Sequence, residues 1–360
     1  MKFKGYDLAL ITDEKQRQYF LGFHSTAGYV MITPKGTSFV VDSRYISAAR
    51  KALEPKGIEV ILGAGFEPLK KKAEELGVKT VAIDFTNTTV AMLDYLKSST
   101  GYEFVDASQE IVELMSIKTA EEIAYVKKAC QIAEKAWLEV IPLIHEGMTE
   151  RELANELEYR FKKYGASGTS FDSIIAFGKN AAVPHHETGD TKLKKNQCVL
   201  MDFGCLYKGY CSDMTRTMFF GEPDEKFLGA YLAVLTAHVK CAEGIVAGMT
   251  GKEADAIARE HLESLGYGKY FTHSLGHGIG VNIHEFPTLS VKGEAVLKEN
   301  MVFSNEPGVY LDGKFGIRIE DSAYLSNGKY VSFMKDDKSL VVINEGKITR
   351  KKLIKINNKE

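Results

Sequence analysis

Short apolar runs open this chain, and helical spacing takes over between them. Over the first 110 or so residues, Tyr29-Val30-Met31-Ile32, Ser38-Phe39-Val40-Val41 and Thr80-Val81-Ala82-Ile83 read as buried strands. The first two flank Pro34-Lys35-Gly36 and predict a hairpin. Apolar residues recur at helical spacing from Ile46 to Leu53 and from Pro68 to Leu76. The alternation predicts an α/β domain over residues 1–115. A Thr-x-x-Glu box, Thr119-Ala120-Glu121-Glu122, then predicts a helix running to about Ile144. The run Leu114-Met115-Ser116-Ile117-Lys118 before it is the expected joint with a second domain, residues 116–360.

That second domain repeats itself. Gly147-Met148-Thr149-Glu150-Arg151-Glu152 returns as Gly248-Met249-Thr250-Gly251-Lys252-Glu253, and Gly165 and Gly266 follow at the same spacing. Each copy reads as a helix opened by a capping box and closed by a glycine. Each follows a long helix and precedes a segment that ends in histidines, His185-His186 in one copy and His277 with His284 in the other. Two pseudo-symmetric α/β halves are expected, their antiparallel strands meeting in a central sheet. The junction of two such halves is a common place for a ligand cleft.

The chemistry concentrates in that domain. Asp202 ends the apolar run Cys198-Val199-Leu200-Met201, and Asp213 opens Met214-Thr215-Arg216-Thr217-Met218-Phe219-Phe220. A fold-back about Tyr207-Lys208 would set the two acids opposite each other, with Cβ atoms about 5 Å apart. Glu306 and Glu320 repeat the arrangement about Asp312-Gly313, a strong hairpin signal, and Arg318 shares the face of Glu320. A single acid is ordinarily a solvated surface charge. Two mirrored pairs inside apolar strands need a cation between them. His277 lies among Gly276, Gly278 and Gly280, where the backbone can approach a ligand closely, and His185, His273 and His284 bracket it. Four carboxylates and one imidazole form a hard, oxygen-rich donor set suited to two divalent ions and the activation of water. The other three histidines read as substrate-facing groups. His24, the only histidine of the first domain, reads as structural.

At 360 residues, with 44% apolar and 26% charged positions, the chain has the composition of a globular protein with room for two domains. A net charge of −2 gives no reason to expect nucleic acid or an anionic membrane as partner. The start, Met1 to Asp7, shows no signal-peptide core, and no stretch is long and apolar enough for a membrane span. Cys130, Cys198, Cys205, Cys211 and Cys241 form no zinc pattern and read as reduced thiols of a cytoplasmic protein. The basic stretch from Lys347 to Leu353 reads as a solvated end.

Taken in order and spacing, several strings resemble the pita-bread metallopeptidases, in particular their Xaa-Pro aminopeptidase and Xaa-Pro dipeptidase (prolidase) branch. They are Pro184-His185, Met201-Asp202-Phe203-Gly204, Gly209 to Thr217, Gly276 to Gly280, His284 to Pro287, Glu306 to Tyr310 and Gly316 to Asp321. Leu21-Gly22-Phe23 and Val41 to Tyr45 resemble, more weakly, the creatinase-type N-terminal domain. The resemblance implies a creatinase-type α/β domain followed by a pita-bread catalytic domain with pseudo-two-fold symmetry. It places the family's metal ligands on Asp202, Asp213, His277, Glu306 and Glu320. Substrate-facing groups fall on His185, His273, His284 and Arg318, with Glu306, His284 and His185 as the catalytic set. It further implies two divalent ions, usually manganese though cobalt, zinc or iron can serve, a homodimer, and proline-containing peptides or dipeptides as substrate. Ser304-Asn305 before Glu306 is more polar than the family pattern. A strict prolidase, a methionine aminopeptidase, a creatinase-type amidinohydrolase and a non-catalytic peptide-binding module are the competing readings.

Overall fold

The computed structural model describes residues 6–344 and 346–353. Met1 to Gly5, most of the segment read for a signal peptide, lie outside the described residues. Among those described, no helix is long and apolar enough to cross a membrane. The chain divides into two compact units, Met1–Met115 and Ser116–Glu360, each with its own core.

The first unit is a six-stranded sheet in which Tyr29–Thr33 runs antiparallel to both neighbours and the remaining pairs are parallel. The expected hairpin is there, and the helices Ile46–Leu53 and Glu67–Leu76 follow. Leu10, Met31, Val40, Val81 and Ile83 from the strands close on Leu69, Ala73 and Leu96 from the helices. Helices Glu14–Leu21 and Val90–Thr100 escaped the pattern reading; each starts on a side-chain cap, Asp13 and Thr89, and ends on a left-handed glycine. His24 sits on the surface 2.9 Å from Glu14.

In the second unit the capping box at Thr119 opens the helix Ala120–Val140. It stops before Ile144 because Pro142 has no N–H to donate, and Ile141–Leu143 tightens into a 3-10 turn. The internal repeat is structural. Glu150–Lys163 and Gly251–Ser264 are both 14-residue helices whose Thr149 and Thr250 caps are reciprocated by Glu152 and Glu253. Gly165 and Gly266 follow them with φ of 95° and 79°.

Ten strands form the large sheet of this unit among the described residues. Gln197–Phe203 pairs with Met214–Phe220 with Thr215, not Asp213, opposite Asp202. The fold-back therefore centres one residue later than expected, on Lys208-Gly209. Both take positive φ, 52° and 84°, the twist that a two-residue hairpin turn demands. The second hairpin follows its expected register: Gly308–Leu311 pairs with Phe315–Arg318 about Gly313, and Asn305 pairs with Asp321 just below. The basic segment Lys347–Lys351 is an edge strand against Leu340–Asn344, its side chains mostly in solvent. All five cysteines are buried.

Candidate active site

All nine residues singled out in the sequence line one cavity of about 420 Å³: Asp202, Asp213, His277, Glu306 and Glu320, with His185, His273, His284 and Arg318. The two hairpins account for most of this. Asp202 and Asp213 flank the first, Arg318 ends the second, and Glu320 opens the strand that follows it. His277 comes from the short strand Gly276–Gly278, which needs its glycines. A Cβ at 276 would stand 2.1 Å from the Ser304 carbonyl oxygen and one at 278 would stand 2.3 Å from that of Phe286.

Asp213, His277 and Glu320 each offer a ligand atom within 4.8 Å of the other two. His277 Nε2 lies 3.5 Å from Asp213 and 3.4 Å from Glu306. His277 Nδ1 is 3.0 Å from the Gly278 carbonyl oxygen, so Nδ1 carries the proton and Nε2 keeps its lone pair for the cavity. Asp202 Oδ1, Asp213 Oδ1 and Glu320 Oε1 are buried with no hydrogen-bond donor among the described residues. Orphaned carboxylate oxygens beside a deprotonated imidazole nitrogen fit the divalent ions implied by the resemblance.

The electrostatics agree. Burial, reinforced by the neighbouring carboxylates, pushes Asp213 and Glu320 well above the usual carboxylate range. Burial also raises Glu306, moderated by Arg318, to about 7. His277 and His284 are pushed down by burial, as is His273, to about 3. The cavity thus crowds acids that cannot all ionise without positive charge supplied from elsewhere.

Several residues that hold this set went unnoticed in the sequence. Arg318 donates to Asp202, to Thr215 Oγ1 (3.1 Å) and to the Tyr310 hydroxyl (2.6 Å), and Thr215 in turn donates to Glu320 Oε2 (2.5 Å). Two expected ligands therefore hang on one guanidinium. His273 Nδ1 lies 2.7 Å from the Ser274 carbonyl oxygen and Nε2 lies 2.9 Å from the Tyr310 hydroxyl, so both nitrogens are engaged within the protein. His185 and His284 have no hydrogen-bond partner among the described residues, and His284 packs against His277 with ring centroids 4.2 Å apart. The polar pair Ser304-Asn305 earns its place. Ser304 Oγ accepts from the His277 N–H and donates to Glu306, and Asn305 Nδ2 donates to the His238 carbonyl. Behind His284, Glu285 takes Lys118 Nζ at 2.9 Å in an ion pair of almost fully buried side chains, and its other oxygen takes the Asn282 N–H. Thr215 and Tyr310 sit in ordinary strand patterns, and Lys118 is far away in sequence, so spacing carried no signal for them.

The description of the metallopeptidase family M24 matches residues 124–327. The chain belongs to that family. The creatinase/prolidase N-terminal domain matches residues 1–116. The chain is thus a peptidase of the pita-bread, divalent-metal kind with a creatinase-type first domain. Among its relatives is the Xaa-Pro dipeptidase of Pyrococcus furiosus, 37% identical over 90% of this chain and 92% of that one. Among solved structures, an Xaa-Pro dipeptidase from Bacillus anthracis shares 38% identity at a TM-score of 0.90, covering 94% of this chain and 96% of that chain. An X-Pro aminopeptidase from Thermotoga maritima shares 36% at 0.88, covering 94% and 98%.

Proposed function

We propose that this peptidase cleaves the bond between an N-terminal residue and a following proline. The observation that carries the reading is the convergence of Asp202, Asp213, His277, Glu306 and Glu320 with two uncommitted histidines on one cavity. Those five residues would hold two divalent ions, with manganese suited to so oxygen-rich a set. When bound, the ions lower the pKa of a water and polarise the scissile carbonyl. Glu306 takes the proton of the attacking water on its carboxylate and returns it to the leaving nitrogen. His284 donates to the oxygen that gains charge, a contribution of about 3 kcal/mol for one well-placed donor.

A proline nitrogen in peptide linkage carries no hydrogen, so the site must fit the ring and need not offer an acceptor there. Phe171, Ile174 and Ile283 supply apolar wall to the cavity. His185, exposed and without a protein partner, is placed to meet a carboxylate or carbonyl beyond the proline. His273 and Arg318, their donors largely engaged within the protein, hold Tyr310, Thr215 and Asp202 in position. Relatives of similar identity bear both dipeptidase and aminopeptidase names. Turnover of Xaa-Pro against Xaa-Pro-Yaa-Zaa by the metal-loaded enzyme separates them, and cleavage of the dipeptide alone would assign a strict prolidase. A homodimer in the cytoplasm completes the proposal, with sedimentation as its check. Asp213→Asn should abolish Xaa-Pro hydrolysis, a loss of at least about a thousandfold, and lower the bound metal measured by elemental analysis. Full activity in that variant would overturn the assignment.

A further inference from the structure

A second concavity of the catalytic unit, about 600 Å³, shares no wall residue with the catalytic cavity. Its wall includes Lys179, Lys192, Lys194, Lys226 and Lys314 but only one carboxylate, Asp224. The five lysines arrive on four separate segments: the 3-10 turn Gly178–Ala182, the loop after it, the first turn of the helix Glu225–Gly244, and the tip of the hairpin that carries Arg318. Among the described residues none of the five ammonium groups makes an ion pair. The single acid is already used, because Asp224 accepts the Phe227 N–H at 2.7 Å as the helix cap. The whole chain, by contrast, carries a net charge of −2, so the basin is a positive feature of a slightly acidic protein.

All five lysines are exposed, and their mutual repulsion is not offset by any ion pair among the described residues. Like charges gathered in a concave wall repel more than they would if spread over a convex surface. Contact with Lys314 is the main cause that holds the Lys226 ammonium below its ordinary pKa. The 20-residue helix Glu225–Gly244 points its N-terminus into the same basin and adds partial positive charge there. Asp224 is the one opposing charge in the wall.

We propose that this basin binds a triphosphate group, either inorganic tripolyphosphate or the phosphate chain of a nucleoside triphosphate. Five ammonium groups against one carboxylate match the roughly four negative charges of a triphosphate, whereas one phosphate, with about two, would leave half the wall unsatisfied. The half-buried Phe315 ring beside Lys314 gives a nucleoside base a surface to stack on.

The test is isothermal titration of the full-length, metal-loaded enzyme with sodium tripolyphosphate and with ATP at about 150 mM salt. Saturable one-to-one binding is expected. The paired substitution Lys226→Glu and Lys314→Glu should weaken it by about tenfold or more, while leaving Xaa-Pro turnover unchanged. Lys127→Glu with Lys128→Glu, two exposed lysines on the helix Ala120–Val140, makes the same net change elsewhere and should leave binding intact. Tighter binding of ATP than of tripolyphosphate would assign the nucleotide, and equal binding the inorganic chain. Absence of saturable binding up to millimolar ligand overturns the proposal. So does equal weakening in both double variants, or heat unchanged in the Lys226/Lys314 variant, which would mark mere chelation of the catalytic ions.

Discussion

The helices Glu150–Lys163 and Gly251–Ser264 begin alike, on Thr149 and Thr250, and then part company. In the first, the leading residue is Glu150, fully buried. It collects the Phe177 N–H, Asn180 Nδ2, His186 Nε2 and the Gly189 N–H at 2.8 to 3.2 Å. In the second, that position is Gly251, because any Cβ would stand 2.1 Å from the Thr288 carbonyl oxygen. The buried acid has moved one turn along to Asp255. It takes the Leu275 N–H at 3.0 Å and both ends of Arg259, which reaches on to the carbonyls of Phe271 and His273. Each half grips its histidine segment with a carboxylate on the repeated helix. The first grips directly and leaves His185 projecting from a loop. The second takes the Leu275 N–H directly but reaches the carbonyls of Phe271 and His273 through an arginine. The two helices share their architecture and capping but differ in the wiring behind it.

The widest test of this comparison is Glu150→Ala. It strands several buried donors at once and should cost about 4 kcal/mol, seen as a lower urea midpoint, with kcat/KM falling as the His185 loop loosens. Asp255→Asn keeps an acceptor for Leu275 but removes the charge facing Arg259, so about 2 to 3 kcal/mol is expected. If it proved the more damaging of the two, the contrast between direct and relayed grip would be wrong. Gly251→Ala should cost about 2 kcal/mol by forcing the helix start away from Thr288, as thermal unfolding would show. Smallest and most alike, Thr149→Ala and Thr250→Ala should each cost about 1 kcal/mol. A large difference between them would mean the two caps are not equivalent parts.

How far the sequence could be read depended on whether local chemistry or distant packing decided the matter. The Glu306–Glu320 register was legible because Asp312-Gly313 lies at its centre and glycine meets the conformational demand at Gly313, φ 66°. The Asp202–Asp213 register slipped because its turn places Lys208 at positive φ, a conformation its side chain does not advertise. Capping boxes at Thr119, Thr149 and Thr250 located three helices, since a cap is a contact over four residues. Arg318 was visible beside Glu320, yet its bonds to Tyr310 and Thr215 form only when separate strands meet. Lys118, paired with Glu285 across most of the catalytic unit, shows the limit most clearly.

The orphaned oxygens of Asp202, Asp213 and Glu320 have a consequence for the life of the protein in the cell. On the proposed ligand assignment, a polypeptide finishing synthesis during metal starvation would have to close around crowded negative groups that only protons can quieten, and it would open more readily to proteases. Mineral supply would then set not just how fast the enzyme turns over substrate but how many copies survive.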